Sequence, residues 1–202
     1  MGNEKEVLEK LVRADIGTRP FSELTSVSLS GLGANLAGRV LLAELEARGL
    51  KAGKDYQAVG ALTQAAVPLV LSMVLASTEP IDGFTIDFVY PGIKGKNIQG
   101  KKVVLLDAWL SEKSYIQTSS IITLHKGNEL SLDYSVIEHL GAQAVAIASL
   151  VGGTGAMTGE ESKYVEVVGA IDQEKHRLPF VYAYNVTEVS TSHVDSPHDP
   201  RA

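Results

Sequence analysis

The stretch VVLLDAWLSEKSYIQ, residues 103–117, carries most of the information about the fold. Its apolar run ends in Asp107, a polar segment follows, and apolar residues then return at helical spacing. Buried parallel strands read as continuous apolar runs, and ligands of such sheets bind at the strands' carboxyl ends. The stretch therefore predicts a buried strand over 103–107, then a loop and a helix, the usual frame of a phosphate site. The loop has no glycine and carries Glu112, so whether it holds a phosphate is an open question.

Composition narrows the class of protein. The chain has 202 residues, of which 45% are hydrophobic and 21% charged, as in ordinary globular domains. It has no cysteine, which excludes a disulfide framework, a thiolate zinc site and a cysteine nucleophile. The net charge of −6 disfavours nucleic acid and anionic membranes as partners. The longest apolar run, 65–76, is too short for a bilayer span, and we expect a cytoplasmic protein.

Strand patterns alternate with helix patterns along the chain. This order predicts an α/β fold with a central, mainly parallel sheet flanked by helices. We expect a single domain over 1–189, a polar insertion at about 125–134 and a disordered polar tail at 190–202. Helices are predicted at 4–15, 36–50, 68–76, 114–124 and 135–142, strands at 25–30, 56–62, 83–90, 102–109, 144–151, 164–171 and 179–186, and a glycine- and lysine-rich loop at 91–102.

Four segments together resemble a known family. They are AVGALTQAAVP (58–68), IDGFTIDF (81–88), IQGKKVVLLDAWLSEKSY (98–115) and EHLGAQAVAIASLVGGTGA (138–156). In this order they are similar to an orotate phosphoribosyltransferase of the actinobacterial type, over roughly residues 20–160. The resemblance implies a type I phosphoribosyltransferase fold and a homodimer. It also implies a transferase of pyrimidine metabolism that makes orotidine monophosphate from orotate and phosphoribosyl pyrophosphate (PRPP) with Mg²⁺.

The resemblance assigns ligand positions residue by residue. Three groups result: the PRPP loop, the pyrophosphate loop and the mobile lid. The PRPP-loop positions are Asp107, Ser111, Glu112, Lys113, Ser114 and Tyr115. The pyrophosphate-loop positions are Ala61, Leu62, Thr63 and Gln64. The lid positions are Lys94 and Lys96.

Several of these positions depart from the family pattern. Asp107 keeps the first of two acids that hold the ribose hydroxyls, but Ala108 replaces the second. Glu112 and Lys113 stand where the family has a threonine and a glycine. Glycine allows the backbone to approach a phosphate closely, and a carboxylate beside a dianion is repelled.

The lid and the orotate site depart as well. The lid's Arg-Lys pair aligns with Asp87 and Phe88, and two substrate arginines align with Thr25 and near Gly153. Val67 stands where the pyrophosphate loop has an acid. The resemblance thus implies that charge has been removed from the pyrophosphate, phosphate and orotate sites together.

Three interpretations of 107–115 remain: a corner without a ligand, a converted site for an anion, and a conventional PRPP site. They correspond to three functions. The chain is an enzyme repurposed to another ligand or reaction, a non-catalytic relative that binds a metabolite or a protein, or an active orotate phosphoribosyltransferase. A small anionic or nucleotide-like metabolite is the expected ligand, and no catalytic or metal-binding residue is assigned. A rim closed by Trp109, Phe88 and Tyr90 would favour the non-catalytic function.

Overall fold

The computed structural model describes residues 2–19, 22–87, 92–111, 124–125, 129–132, 135–153, 163–169 and 175–190. Its helices are α1 (Gly2–Ile16), α2 (Thr25–Ser28), α3 (Gly31–Ala47), α4 (Val67–Ala76), α5 (Ser135–His139) and α6 (Val186–Ser190). Its strands are β1 (Ala58–Ala61), β2 (Asp82–Asp87), β3 (Gly92–Gly95), β4 (Lys102–Leu110), β5 (Leu124–His125), β6 (Glu129–Leu132), β7 (Gln143–Gly152), β8 (Tyr164–Gly169) and β9 (Lys175–Asn185).

The strands form one sheet with the order β3-β2-β1-β4-β7-β9-β8-β6-β5 in the part of the chain described. Strands β2, β1, β4, β7 and β9 run parallel, and β3 and β8 pair antiparallel with β2 and β9. β4 lies between β1 and β7, so the prediction of 103–107 as an inner strand is confirmed. The predicted α/β fold with a mainly parallel sheet is confirmed with it.

Apolar side chains cover both faces of the sheet. The larger core joins β1, β4 and β7 to helices α1, α3 and α4 through residues such as Leu8, Leu41 and Leu69. The smaller core lies on the other face and includes Phe84, Val103 and Ile137. The continuous apolar character of 103–106 follows from this double coverage, because both faces of β4 are buried.

Helix α3 is fixed at its start and near its middle. Ser30 caps it, accepting a hydrogen bond from the Gly33 backbone N–H at 3.0 Å. Near the middle, Gly38 faces the backbone of Ser72 in α4. A Cβ at position 38 would lie 2.2 Å from the Ser72 carbonyl oxygen. Glycine is therefore required there for the two helices to pack at this distance.

The strand predicted at 25–30 is wrong, because this segment contains α2. Ser22 and Ser26 both donate hydrogen bonds to the Asp15 carboxylate of α1, which folds the chain back on that helix. Leu24, between the two serines, has a left-handed backbone with φ +54°. Ser22 and Ser26 thus stabilise a helical turn that buries Val27.

The loop predicted at 91–102 is also wrong in part, because Gly92–Gly95 forms the edge strand β3. The polar insertion at 125–134 supplies β5 and β6, which extend the sheet beyond β8. The ranges 88–91, 112–123, 154–162 and 191–202 lie outside the described residues. They contain most of the helix predicted at 114–124 and almost all of the polar tail.

Among the described residues, no helix is long and apolar enough to cross a bilayer.

Replacing Gly38 with alanine should destabilise the protein. The new methyl group would overlap the Ser72 carbonyl, and overpacking of this kind costs about 1–3 kcal/mol or somewhat more. We expect the free energy of unfolding in urea to fall by about 2–4 kcal/mol. Gly31→Ala in the same helix is the control, because a Cβ there meets nothing within 4 Å, and it should be neutral or mildly stabilising. Equal effects of the two variants would contradict the role of Gly38.

Candidate functional site

The centre of the candidate site is Asp107, on the middle strand of the sheet. The Leu62 N–H donates to the Leu106 carbonyl at 2.9 Å, which carries the pairing of β1 with β4 beyond Ala61. This extension brings Thr63 beside Asp107, and the Thr63 Oγ1 donates to the Asp107 Oδ1 at 2.9 Å. The Ala108 backbone N–H donates to the same oxygen at 2.7 Å. The structure thus joins two residues that the sequence placed in different ligand loops.

Asp107 is almost completely buried, with 4% of its surface exposed. Burial raises the pKa of its carboxyl to about 6, and the negative charge of Glu23 adds to this. Hydrogen bonds from Thr63 and from the backbone of Ala108 and Trp109 oppose the rise in pKa by stabilising the ionised form. The carboxyl therefore faces donors inside the protein, not an open ligand site.

The loop predicted to follow Asp107 begins later than expected. β4 continues through Ala108 and Trp109 to Leu110, and Trp109 and Leu110 pair with Val151 and Gly152 of β7. All three added residues are buried. They are apolar, so they continue the buried strand where the family pattern places an acid and a phosphate loop. The loop expected directly after Asp107 is therefore wrong, whereas the strand predicted at 102–109 is confirmed to within one residue.

Trp109 and Ser111 close the end of β4. The indole Nε1–H of Trp109 donates to the Ser111 Oγ at 2.8 Å, and both side chains are buried. Trp109 is therefore a core residue. Ser111 was expected to offer its hydroxyl to a phosphate, but the hydroxyl accepts the tryptophan N–H inside the protein.

The pyrophosphate-loop positions are only partly open. Ala61 and Leu62 are buried, Thr63 is half-buried and Gln64 is exposed. Gln64 begins a short 3₁₀ turn, Gln64–Ala66, that leads into α4. Gln64 is thus the polar side chain of this group that faces solvent.

The two lysines of the lid positions lie in or beside β3. The Lys94 Nζ forms an ion pair with the Asp87 carboxylate at 2.7 Å. Asp87 aligns with the family's lid arginine, so this ion pair neutralises the charge of one of the two lid lysines. Lys96 is exposed, and its backbone N–H donates to the Gly83 carbonyl at 3.4 Å.

Most of the remaining predicted positions lie outside the described part of the chain. Glu112, Lys113, Ser114 and Tyr115 lie outside the described residues, as do Phe88 and Tyr90. Of the glycine cluster 152–159, only Gly152 and Gly153 are described. A Cβ at Gly152 would meet the Phe180 ring at 2.7 Å, so this glycine serves packing between β7 and β9. The described residues contain no group of three or more His, Cys, Asp or Glu side chains that could hold a metal ion.

The sequence analysis missed two features. Ser149 of β7 is fully buried, pairs in register with Asp107, and its hydroxyl has no hydrogen-bond partner among the residues that the structure describes. The serine inside the apolar run AVAIASLV was the available signal. The second feature is an exposed apolar stripe on α4, formed by Val67, Leu71 and Leu75. Its signal was the spacing of four residues.

Comparisons with known proteins agree with the fold. No protein-family model matches the chain. An orotate phosphoribosyltransferase from Streptomyces coelicolor is 26% identical over 178 residues, which is 84% of this chain and 81% of that protein.

Two solved structures are similar over nearly their whole length. A phosphoribosyltransferase from Corynebacterium diphtheriae has a TM-score of 0.61 at 21% identity, covering 94% of this chain and 99% of that one. Mycobacterium tuberculosis orotate phosphoribosyltransferase, in complex with PRPP, has a TM-score of 0.59 at 20% identity, covering 94% and 93%.

The sheet order and these structural neighbours define a type I phosphoribosyltransferase fold. Within that class, the resemblance found in the sequence is confirmed as a similarity, since the chain is 26% identical to an orotate phosphoribosyltransferase.

Asp107 should make stability depend on pH in a defined window. Its pKa rises from 3.8 in the unfolded chain to about 6 in the folded protein. Between these values the folded state binds the proton and the unfolded state does not, so stability falls as pH rises from 4 to 6. Relative to Asp107→Asn, the wild type should lose about 3 kcal/mol over this window and nothing more above pH 7. Urea denaturation of both proteins at several pH values measures the difference. Parallel curves would show that Asp107 is not the titrating group.

Proposed function

We propose that this chain is a phosphoribosyltransferase-like protein that does not bind PRPP in the manner of its relatives and acts as a non-catalytic binding protein. The observation that carries this proposal is that Asp107 is buried within β4, which continues past it to Leu110. A carboxylate that holds ribose hydroxyls must present its oxygens to the ligand. Here Oδ1 accepts hydrogen bonds from the Thr63 hydroxyl and the Ala108 backbone N–H, and the Trp109 backbone N–H also donates to the buried carboxylate.

The electrostatics support the same conclusion. Transfer from PRPP places negative charge on the leaving pyrophosphate, and enzymes stabilise such charge with fixed positive groups. Lys94 is matched by Asp87, and Glu23 adds negative potential at Asp107. Both effects oppose the binding of a highly charged anion at this edge of the sheet.

Magnesium, which the family reaction would imply, does not fit the described residues. Mg²⁺ prefers carboxylate oxygens in octahedral geometry with several waters retained. Asp107 is buried among protein donors, and Ala108 supplies no second carboxylate. We therefore derive no step through the metal.

The exposed apolar side chains of α4 support binding of a protein partner. Val67, Leu71 and Leu75 are 40%, 58% and 76% exposed and lie along one side of α4. Leu29 and Leu32, beside the start of α3, are 71% and 56% exposed. Scattered exposed leucines are ordinary, but a row on one helix is typical of an interface. We propose a cytoplasmic homodimer that buries this stripe.

We propose a small anionic or nucleotide-like metabolite as the ligand at the carboxyl ends of the parallel strands. The M. tuberculosis relative has been solved with PRPP and with inorganic phosphate. Those ligands belong to that protein. For this chain, a ligand whose binding needs no carboxylate clamp on a ribose diol would suit the exposed Gln64 and half-buried Thr63.

The first test is turnover. With Mg²⁺, PRPP and orotate, we expect no loss of orotate absorbance above background and no thermal stabilisation by PRPP. A ligand present at a free concentration of 100 times its dissociation constant would stabilise the folded protein by about 2.7 kcal/mol, which is easily detected. Turnover within tenfold of an ordinary orotate phosphoribosyltransferase would overturn the proposal.

Ala108→Asp makes this test sharper. It restores the second acid in sequence, but position 108 is buried in the larger core. We expect the variant to lose stability and to remain unable to bind PRPP, since a buried unpaired carboxylate is costly. The neutral Ala108→Asn separates charge from size. Recovery of PRPP binding by Ala108→Asp would show that β4 is not closed.

The second test is assembly. Light scattering at micromolar concentration should give a dimer for the wild type and a monomer for Leu71→Glu combined with Leu75→Glu. The control combines Lys54→Gln with Lys96→Gln, two exposed lysines, and makes the same change of net charge. The control should stay dimeric. A monomeric wild type, or a dimer that survives the leucine changes, would contradict the interface.

A further inference from the structure

Two polar side chains, Tyr182 and Asn185, lie near the carboxyl end of β9. Strand β9 runs parallel to β7, and Gly152 at the end of β7 pairs in register with Asn185. The next residue, Gly153, has a left-handed backbone with φ +92°. A Cβ at position 153 would lie 3.3 Å from the Asn185 Nδ2 and 3.5 Å from the Tyr182 hydroxyl oxygen. The two polar groups therefore converge on a residue that has no side chain.

Asn185 has a structural role that uses only half of its amide. Its Oδ1 accepts hydrogen bonds from the Thr187 backbone N–H at 2.9 Å and from the Thr187 hydroxyl at 2.7 Å, which caps the short helix α6. A backbone N–H can only donate, so the oxygen of the amide must be the atom that faces Thr187. The NH₂ group is thereby turned towards Gly153, and it has no hydrogen-bond partner among the described residues. The cap explains the oxygen of Asn185 but leaves its two donors unused.

Tyr182 is held in place through its ring. The ring packs against that of Phe180, with centroids 5.2 Å apart and planes tilted by 57°. Phe180 is buried, whereas Tyr182 is only half-buried. The tyrosine thus carries its hydroxyl towards Gly153 at the carboxyl edge, where the hydroxyl has no hydrogen-bond partner within the part of the chain that the structure describes. A fixed ring with an unused hydroxyl is suited to a ligand that is both flat and polar.

We propose that Gly153, Tyr182 and Asn185 form a subsite for a flat, uncharged ring that carries a carbonyl or carboxamide oxygen. That oxygen accepts hydrogen bonds from the Asn185 amide and the Tyr182 hydroxyl, and the ring lies against the tyrosine ring. Both donors are uncharged. A carboxylate would therefore lose water here without gaining a cation from these three residues, which is costly. Gly153 leaves open the place that a side chain would fill.

This inference rests on the proposed function, because it specifies the chemistry of one end of the metabolite proposed to bind at the carboxyl ends of the parallel strands. The group that lies at Gly153 is uncharged, and any charge of the ligand lies away from it. The subsite involves neither Asp107 nor the end of β4, so it needs no change in the buried carboxylate.

Three small probes test the chemistry of the subsite. Benzamide has the flat ring and the uncharged carboxamide. Benzoate keeps the ring but replaces the amide with a carboxylate, and cyclohexanecarboxamide keeps the amide but loses the flat ring. Ligand-observed NMR titration of the wild type at neutral pH should give a dissociation constant on the order of 1 mM for benzamide, as befits so few atoms. The other two probes should bind about tenfold more weakly, each for want of one of the two contacts.

Two variants and a matched control test the residues. Asn185→Asp keeps the oxygen that caps α6 but replaces the donor with a negatively charged acceptor, so benzamide should bind about tenfold more weakly. Tyr182→Phe keeps the ring, removes the hydroxyl and should also weaken binding. Asn97→Asp is the control, because Asn97 is exposed and its Oδ1 likewise accepts a backbone N–H, that of Gln99 at 2.9 Å. It makes the same change of charge and should bind benzamide as the wild type does.

Equal binding of benzamide by the wild type and Asn185→Asp would overturn the subsite, as would an equal loss in Asn97→Asp. A wild type that binds benzoate as tightly as benzamide, or that binds no benzamide, overturns it as well. These two comparisons need no variant, so the test stands even if Asn185→Asp or Tyr182→Phe fails to fold. The titrations contain neither PRPP nor orotate. Failure of the subsite is therefore distinct from failure of the proposed function, which turnover and light scattering decide.

Discussion

The hydrogen bond from Thr63 to Asp107 is the interaction on which the rest of this site depends. It joins the end of β1 to the middle strand at the carboxyl edge, where parallel sheets commonly bind ligands. Beyond it, β4 and β7 remain paired for several more residues, and Trp109 fills the core. The backbone of Trp109 and Leu110 is paired with Val151 and Gly152 of β7, and their side chains are buried. One side-chain hydrogen bond and three apolar residues thus make this end of β4 part of the core.

Most of the fold could be predicted from the sequence because its signals are local. The apolar run 103–106 identified the inner strand, and the helices 36–50 and 68–76 were recognised from their spacing and from Pro68. The edges of the sheet could not be predicted in this way. β3 contains two glycines and a lysine, which are poor strand formers, and its pairing depends on β2 lying beside it.

The candidate site was predicted less well, for a physical reason. Sequence similarity assigned Thr63 and Asp107 to separate loops, and nothing local shows that a threonine hydroxyl will reach a carboxylate 44 residues away. The identity of Ala108 was noted as a missing acid. The strand predicted at 102–109 already included Ala108, but the pairing of Trp109 and Leu110 with β7 is seen only in the structure. The serine at 149 was hidden because a single hydroxyl hardly changes an apolar pattern.

The sheet ends at β3, and this edge bears on how molecules of the protein can meet. β3 has four residues, exposes Lys94 and contains Gly95, whose φ of +120° departs from an extended strand. A short, charged and irregular edge is a poor template for the backbone of a second chain. Growth of the sheet from one molecule to the next is therefore discouraged at this side. Crowded solutions of the protein should accordingly resist fibre formation through β3.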